Sequence, residues 1–179
     1  VIDNTDKDYL DTPVLMHVKA RLPWLLVLMV SYVFTGGMIA SFEKSLSAVI
    51  ALVAYMPMLM GTGGNSGTQS STVIITGMAT GDLELSDVLR VLWKEFRIGI
   101  IVGICVSILN YMRIVAFDHN GSLVALTVCL SMVLIVIIAK CIGALLPMIA
   151  KRIGIDPALI AGPMMASLTD MVALGTYFT

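Results

Sequence analysis

Of the chain's 179 residues, 58% are hydrophobic and only 13% are charged, with a mean hydropathy of +0.96. Soluble domains carry about 25% charged residues, so this balance describes an all-α, polytopic membrane protein whose solvent is largely the lipid bilayer. A net charge of −1 excludes the basic face that a nucleic-acid partner requires.

Val1 to Arg21 is a polar lead-in, with Asp3, Asp6, Asp8 and Asp11 ahead of Lys19 and Arg21. After Pro13, the pattern Val14, Leu15, Val18, Leu22 predicts a short interfacial helix. The first span is expected over about 22–42, the ~20 residues needed to cross the hydrocarbon layer. Pro23 suits its first turn, Trp24 the interface, and Gly36-Gly37 a thin spot for close packing. The second apolar stretch, 45–79, is interrupted by Met60-Gly61-Thr62-Gly63-Gly64-Asn65-Ser66-Gly67-Thr68-Gln69-Ser70-Ser71. As one helix this stretch would be ~50 Å long. It is expected either to break at the glycines, each worth about 1 kcal/mol against Ala, or to project into water. Such a polar break is tolerated at membrane depth only inside protein or beside a water-filled cavity.

Residues 81–97 read as a connection with its own amphipathic surface helix, started by Ser86/Asp87 and carrying Val88, Leu89, Leu92, Trp93 and Phe96 on one face. Further spans are expected at 98–117, 123–149 and 158–178, giving five spans with the termini on opposite sides. Placing the N-terminus in the cytoplasm puts Lys7, Lys19, Arg21, Arg90, Lys94, Arg97, Lys151 and Arg152 there, and leaves only Lys44 and Arg113 outside. The positive-inside rule therefore selects that orientation. Cys105, Cys129 and Cys141 lie in apolar runs and read as small buried hydrophobes. His17 and His119 lie outside those runs, which makes imidazole metal chemistry a poor fit. The chain opens without a signal-peptide n-region.

One carboxylate stands alone in a span: Asp170. Acids there are costly, ~2.5 kcal/mol or more on insertion scales, and mark functional sites by default. At steps of three or four it shares a face with Gly162 or Pro163, Ala166, Ala173 and Tyr177, mostly small residues that leave room for water. That suits a hard cation kept largely hydrated. Mg²⁺ is usually held by one or two carboxylates with several waters retained, and a two-fold dimer would supply two. Asn65 and Gln69 could complete an outer shell. Lys140, the other ionisable residue within a span, is too deep to snorkel and reads as structural, paired with an acid or a helix C-terminus. Asp156-Pro157 reads first as an N-cap followed by Pro at the first helical position, and second as a cation site at the cytoplasmic mouth.

These residues together resemble the membrane domain of the MgtE family of magnesium channels and transporters. The resemblance rests on Arg21-Leu22-Pro23-Trp24-Leu25, on Phe42-Glu43, on Pro57 followed by Gly63-Gly64-Asn65-Ser66-Gly67-Thr68-Gln69-Ser70, and on Asp156-Pro157-Ala158 through Gly162-Pro163 to Thr169-Asp170. It implies a homodimer of five-helix protomers with a pore on the two-fold axis, built from the second and fifth helices. Hydrated Mg²⁺ is then expected at Asp170 and the Ala166 carbonyl, with contributions from Asn65 and from Asp156 at the cytoplasmic end. Gly63, Gly64, Gly67, Gln69, Gly162 and Ala173 are expected along the pore. The family's cytoplasmic regulatory domains have no counterpart in this sequence.

The reading is therefore a Mg²⁺ channel or transporter of the cell's inner (plasma) membrane, with residues 1–21 as lead-in and 22–179 as pore domain. A proton- or Na⁺-coupled divalent-cation carrier using a broken second helix is the alternative. An intramembrane enzyme would need a nucleophile with a base, paired acids or a metal cluster, and the sequence offers only Asp170 and hydroxyls.

Overall fold

The computed structural model describes residues 12–42, 50–118 and 121–178, and every regular element among them is helical. The five long helices are α1 (Val14–Ser41), α2 (Met56–Thr80), α3 (Val88–Arg113), α4 (Ser122–Arg152) and α5 (Pro157–Phe178). A four-residue helix, Ile50–Val53, precedes α2, a 3₁₀ turn (Leu85–Asp87) precedes α3, and a π turn (Ile114–Asp118) follows it. The acidic positions of the lead-in, together with Glu43, Lys44 and His119, lie outside the described residues, as does the side chain of Trp24. Among the described residues, three stretches are long and apolar enough to cross a membrane: Val14–Ser41, Leu85–Asp118 and Ser122–Arg152.

α4 is the centre of the bundle, with α2, α3 and α5 packed around it, while α1 leans on α5. Its inward residues build an apolar cluster at one end, where Val128, Met132, Ile135 and Val136 meet Leu59, Ile114 and Leu174. A smaller cluster at the other end joins Ala144 and Met148 to Ile74, Met78 and Val91. Close approach between helices depends on small residues. Lipid tails are as apolar as the core, so van der Waals contact and hydrogen bonds hold helices together rather than expulsion of water. On α3, Gly99, Gly103 and Ser107 form a stripe at four-residue steps. A Cβ on Gly99 would lie 2.9 Å from Ile137 Cα, and one on Gly103 3.2 Å from the Val133 carbonyl oxygen. Ser107 Oγ donates to the Cys129 carbonyl at 2.9 Å, and Cys129 Sγ donates back to the Ser107 carbonyl at 3.2 Å.

Several expectations are corrected here. The glycine-rich motif does not break its helix: α2 runs unbroken from Met56 to Thr80. The interruption comes earlier, at Ala54-Tyr55, because Pro57 has no N–H to continue a helix from upstream. Gly63, Gly64 and Gly67 are tolerated because their missing side chains admit neighbouring helices. α1 is likewise continuous from Val14, so the lead-in helix and the first span are one element and Pro23 lies in its interior. Gly36 and Gly37 face outward, with nothing within 4 Å of the position an added methyl group would take, so they are not a packing seam within the protomer. The connection after α2 carries no separate surface helix. Glu84 and Asp87 form a reciprocal capping box, and Val88 then starts a helix continuous with the third apolar stretch. Of the cysteines, Cys129 is buried, Cys141 half-buried and Cys105 exposed, and all are free.

Helix ends follow sequence chemistry closely. Gly81, at φ +83°, terminates α2, and Lys151 Nζ donates to the orphan Met78 carbonyl at 3.3 Å. Gly154, at φ +76°, ends α4 with Ile155 N–H returning to the Ala150 carbonyl at 2.9 Å. At the opposite end of the bundle, Tyr55 donates to Asp118 Oδ2 at 2.8 Å, and Arg113 pairs with the same carboxylate at 3.4 Å. Tyr177 of α5 donates to the Leu52 carbonyl at 2.9 Å, tying the last turn of α5 to the short helix ahead of α2.

Candidate functional site

The site is built where α5 docks on the glycine face of α2. Thr169, immediately before Asp170, is fully buried, and its hydroxyl is satisfied along its own helix by the Met165 carbonyl at 2.6 Å and the Ala166 carbonyl at 3.1 Å. Its side chain sits on the space left by the glycines. A Cβ on Gly63, Gly64 or Gly67 would lie 3.8, 3.7 or 3.2 Å from Thr169 atoms. The same face receives α4: a Cβ on Gly63 would come within 2.9 Å of Ile135 Cγ2, and one on Gly67 within 3.1 Å of the Ala139 carbonyl oxygen. At Gly143 the backbone of α4 meets the carbonyl of Gly67 directly. The motif is thus a three-helix junction that sets where Thr169, and with it Asp170, stands.

Asp170 is half-buried, and among the described residues its carboxylate has no hydrogen-bond or ion-pair partner. Ala166, one turn earlier, is exposed. Ala173 and Tyr177, one and two turns later, are buried in the apolar core, so the small-residue face divides into an open half with Asp170 and a packed half beyond it. Gly162 lies within the helical path of α5, in a stretch (159–163) described by its backbone alone. On α2, Gly63 and Gly67 are buried, Gly64 is half-buried, and Asn65 and Gln69 are exposed. Among the described residues no group of three or more His, Cys, Asp or Glu side chains comes together.

Among the described residues, α2 carries an exposed row of glycine, amide and hydroxyl positions along much of its length. Gly61, Asn65, Thr68, Gln69, Thr72 and Thr76 follow one another at helical steps along its outer surface. The outer surfaces of α3 and α4 are apolar at the corresponding positions: Ile101, Ile104, Ile108 and Met112 on one, Leu123, Leu126, Leu130 and Leu134 on the other.

Residues 56–179 match the family model MgtE, described as a divalent cation transporter. The chain belongs to the MgtE family. Relatives of this MgtE-family chain include the magnesium transporter MgtE of Thermus thermophilus, 41% identical over 160 residues, which span 89% of this chain and 35% of that protein. The magnesium transporter MgtE of Bacillus subtilis is 33% identical over 189 residues, 99% of this chain and 42% of its own length. That of Enterococcus faecalis is 29% identical over 164 residues, 92% and 36% respectively. The chain therefore spans between a third and a half of the length of these curated relatives.

Asp156 is exposed at the start of α5, and its Oδ1 accepts the Ala158 N–H at 2.9 Å, the N-cap geometry expected of Asp before Pro at the first helical position. Asp156→Ala is expected to cost about 1 kcal/mol of stability. Asp156→Asn keeps a capping oxygen and should cost little, as measured by thermal unfolding in detergent. A loss of stability shared equally by both variants would contradict the cap.

Two further polar residues, Glu95 and Ser70, escaped sequence reasoning, whereas Lys140 was read as structural. Glu95, read as part of a surface helix, is 7% exposed and accepts a hydrogen bond from Ser70 at 2.5 Å. Lys140, 5% exposed, donates to the same Ser70 hydroxyl at 3.4 Å. The signal available in the sequence was the spacing of Glu95 four residues before Gly99 on the small-residue stripe of α3.

Proposed function

We propose that this chain is the membrane pore of a Mg²⁺ channel or transporter, working as a two-fold dimer of five-span protomers. α2 and α5 line the path, and Asp170 from each subunit faces a hydrated ion. The observation that carries this is the polar stripe on α2. An exposed row of amide and hydroxyl side chains would be unfavourable against lipid and is at home beside water or a protein interface, whereas the Ile and Leu rows of α3 and α4 suit the bilayer. The relatives named magnesium transporters supply the ion. Asp170 and the carbonyl of Ala166 offer oxygen donors, and Mg²⁺ prefers oxygen and sheds water reluctantly. Two carboxylates across an axis, with Asn65 in an outer shell, would hold the ion through its waters. Asp156 at the cytoplasmic end would be a secondary acidic contact. The distribution of Lys and Arg supports a cytoplasmic N-terminus, and the proposed setting is the cell's inner membrane. Membership of a transporter family sets aside the intramembrane enzyme.

Cysteine accessibility tests the reading. In a background with Cys105, Cys129 and Cys141 replaced, Thr72→Cys and Thr76→Cys should react with a charged, water-soluble thiol reagent and lose Mg²⁺ flux on reaction. Leu126→Cys and Leu134→Cys should stay unreactive. Equal reactivity on both sets would remove α2 from the pore. Currents that scale with the Mg²⁺ driving force would mark a channel, and flux fixed to a proton or Na⁺ gradient a coupled carrier.

A further inference from the structure

Between the two apolar clusters of the bundle lies a polar layer shared by three helices. Along α4 it falls at Lys140, after Ile135 and Val136 of one cluster and before Ala144 and Met148 of the other. Along α2 it falls at Ser70, and along α3 at Glu95. The Ser70 hydroxyl stands between the two ionisable groups, donating to Glu95 Oε2 at 2.5 Å and accepting from Lys140 Nζ at 3.4 Å. The ion pairs among the described residues are Arg90–Asp87 and Arg113–Asp118, so Glu95 and Lys140 are joined through Ser70 rather than directly. A cavity of about 380 Å³ adjoins the layer, lined among others by Gln69, Ser70, Lys94, Glu95 and Lys140.

We propose that Lys140, Ser70 and Glu95 are positioning residues for the pore: a polar clamp that fixes the rotation of α2, and so decides which of its residues face the permeating ion. Successive residues on a helix are separated by about 100°, so Ser70 turned inward sends Gln69, Asn65, Thr72 and Thr76 outward. The remaining inward face near this level is Gly63, Ser66, Gly67 and Ser71, with Ile74 one turn beyond. Such a face admits α4 and α5 closely but offers few large side chains to resist rotation. Directional bonds to Ser70 supply that resistance. They come from two different helices, so a rotation of α2 lengthens at least one of them. The charge-assisted bond to Glu95 has the short length expected of O–H···O⁻. A clamp also explains Lys140, a fixed positive charge that a cation path would avoid.

The proposal rests on α2 lining the pore, and its test reads the two ideas separately. The measurement is uptake of Mg²⁺ and of Ca²⁺ into proteoliposomes, expressed as a ratio so that the amount of folded protein cancels, with Asp170→Ala in the same series. Ser70→Ala should shift the Mg²⁺/Ca²⁺ ratio by about tenfold, the scale of one hydrogen bond to a charged group. Ser70→Thr keeps the hydroxyl, can place its methyl group in the adjoining cavity, and should restore the ratio. Lys140→Met or Glu95→Gln alone leaves a buried charge without its counterpart and should reduce folded protein. The double variant should recover folded protein while its ratio stays shifted. A parent-like ratio in Ser70→Ala, or equal shifts in the Ala and Thr variants, would overturn the clamp even where Asp170→Ala is silent. Normal flux through Asp170→Ala would overturn the pore reading, and the clamp with it.

Discussion

Asp170→Ala is expected to abolish Mg²⁺ uptake in proteoliposomes while the purified protein keeps its helical content and assembly state. Retention of fold follows from the position of the residue. The carboxylate is half-buried and makes no bond to any described residue, so its removal leaves no orphaned partner. The contact that docks α5 belongs to Thr169, which the substitution leaves in place. Loss of transport follows from charge. A divalent ion at membrane depth needs fixed negative charge to offset its lost hydration, and α5 supplies no other acid. Asp170→Asn, nearly the same shape, should be as inactive as Asp170→Ala, since a neutral amide replaces the carboxylate. Normal uptake by either variant would sink the assignment, and loss of assembly would give Asp170 a structural role instead.

The largest structural effect is expected at Gly143, one turn after Lys140 on α4. A Cβ there would overlap the Gly67 carbonyl oxygen and lie 2.9 Å from the Gly67 carbon and 3.0 Å from its Cα. All three are backbone atoms, so no side chain can rotate aside, and α2 and α4 must separate. Gly143→Ala should therefore cost about 3 kcal/mol, the upper range for overpacking. Because α2 carries the glycine face against which Thr169 rests, flux should fall as well. Gly36→Ala and Gly37→Ala provide the contrast. Nothing lies within 4 Å of either added methyl, so helix propensity dominates and each should be neutral or stabilising by up to about 1 kcal/mol. Thermal unfolding in detergent decides. Equal losses at Gly143 and Gly36 would mean that the α2–α4 junction is looser than described.

Reading the glycines of 60–71 as a helix break illustrates where local reasoning stops. Propensity disfavours α2 at Gly61, Gly63, Gly64 and Gly67, yet the helix passes through them, with α4 and α5 packed into the space at the last three. Asp156-Pro157, by contrast, was legible. An N-cap is a local event, complete within three residues, and it appears in the structure as expected. Asp170 was equally legible as a lone acid in an apolar run, because burial of charge is costly wherever the run folds.

What the amino-acid order determined by itself was the solvent, the helical class, the helix starts at Asp87 and Asp156 and the isolated acid. Each depends on composition or on neighbours within a turn. Only the tertiary structure decided which face of each helix looks inward. In a soluble protein the apolar face announces the core, but in a bilayer the lipid-facing side is as apolar as the packed side, and hydropathy cannot separate them. That ambiguity hid the buried Glu95, concealed Ser70 as the bridge to Lys140, and gave no sign that Gly63 and Gly67 lie at the junction of three helices. It also hid the polar stripe of Asn65, Gln69, Thr72 and Thr76, whose outward direction is set only when the opposite side of α2 is pressed against α4 and α5.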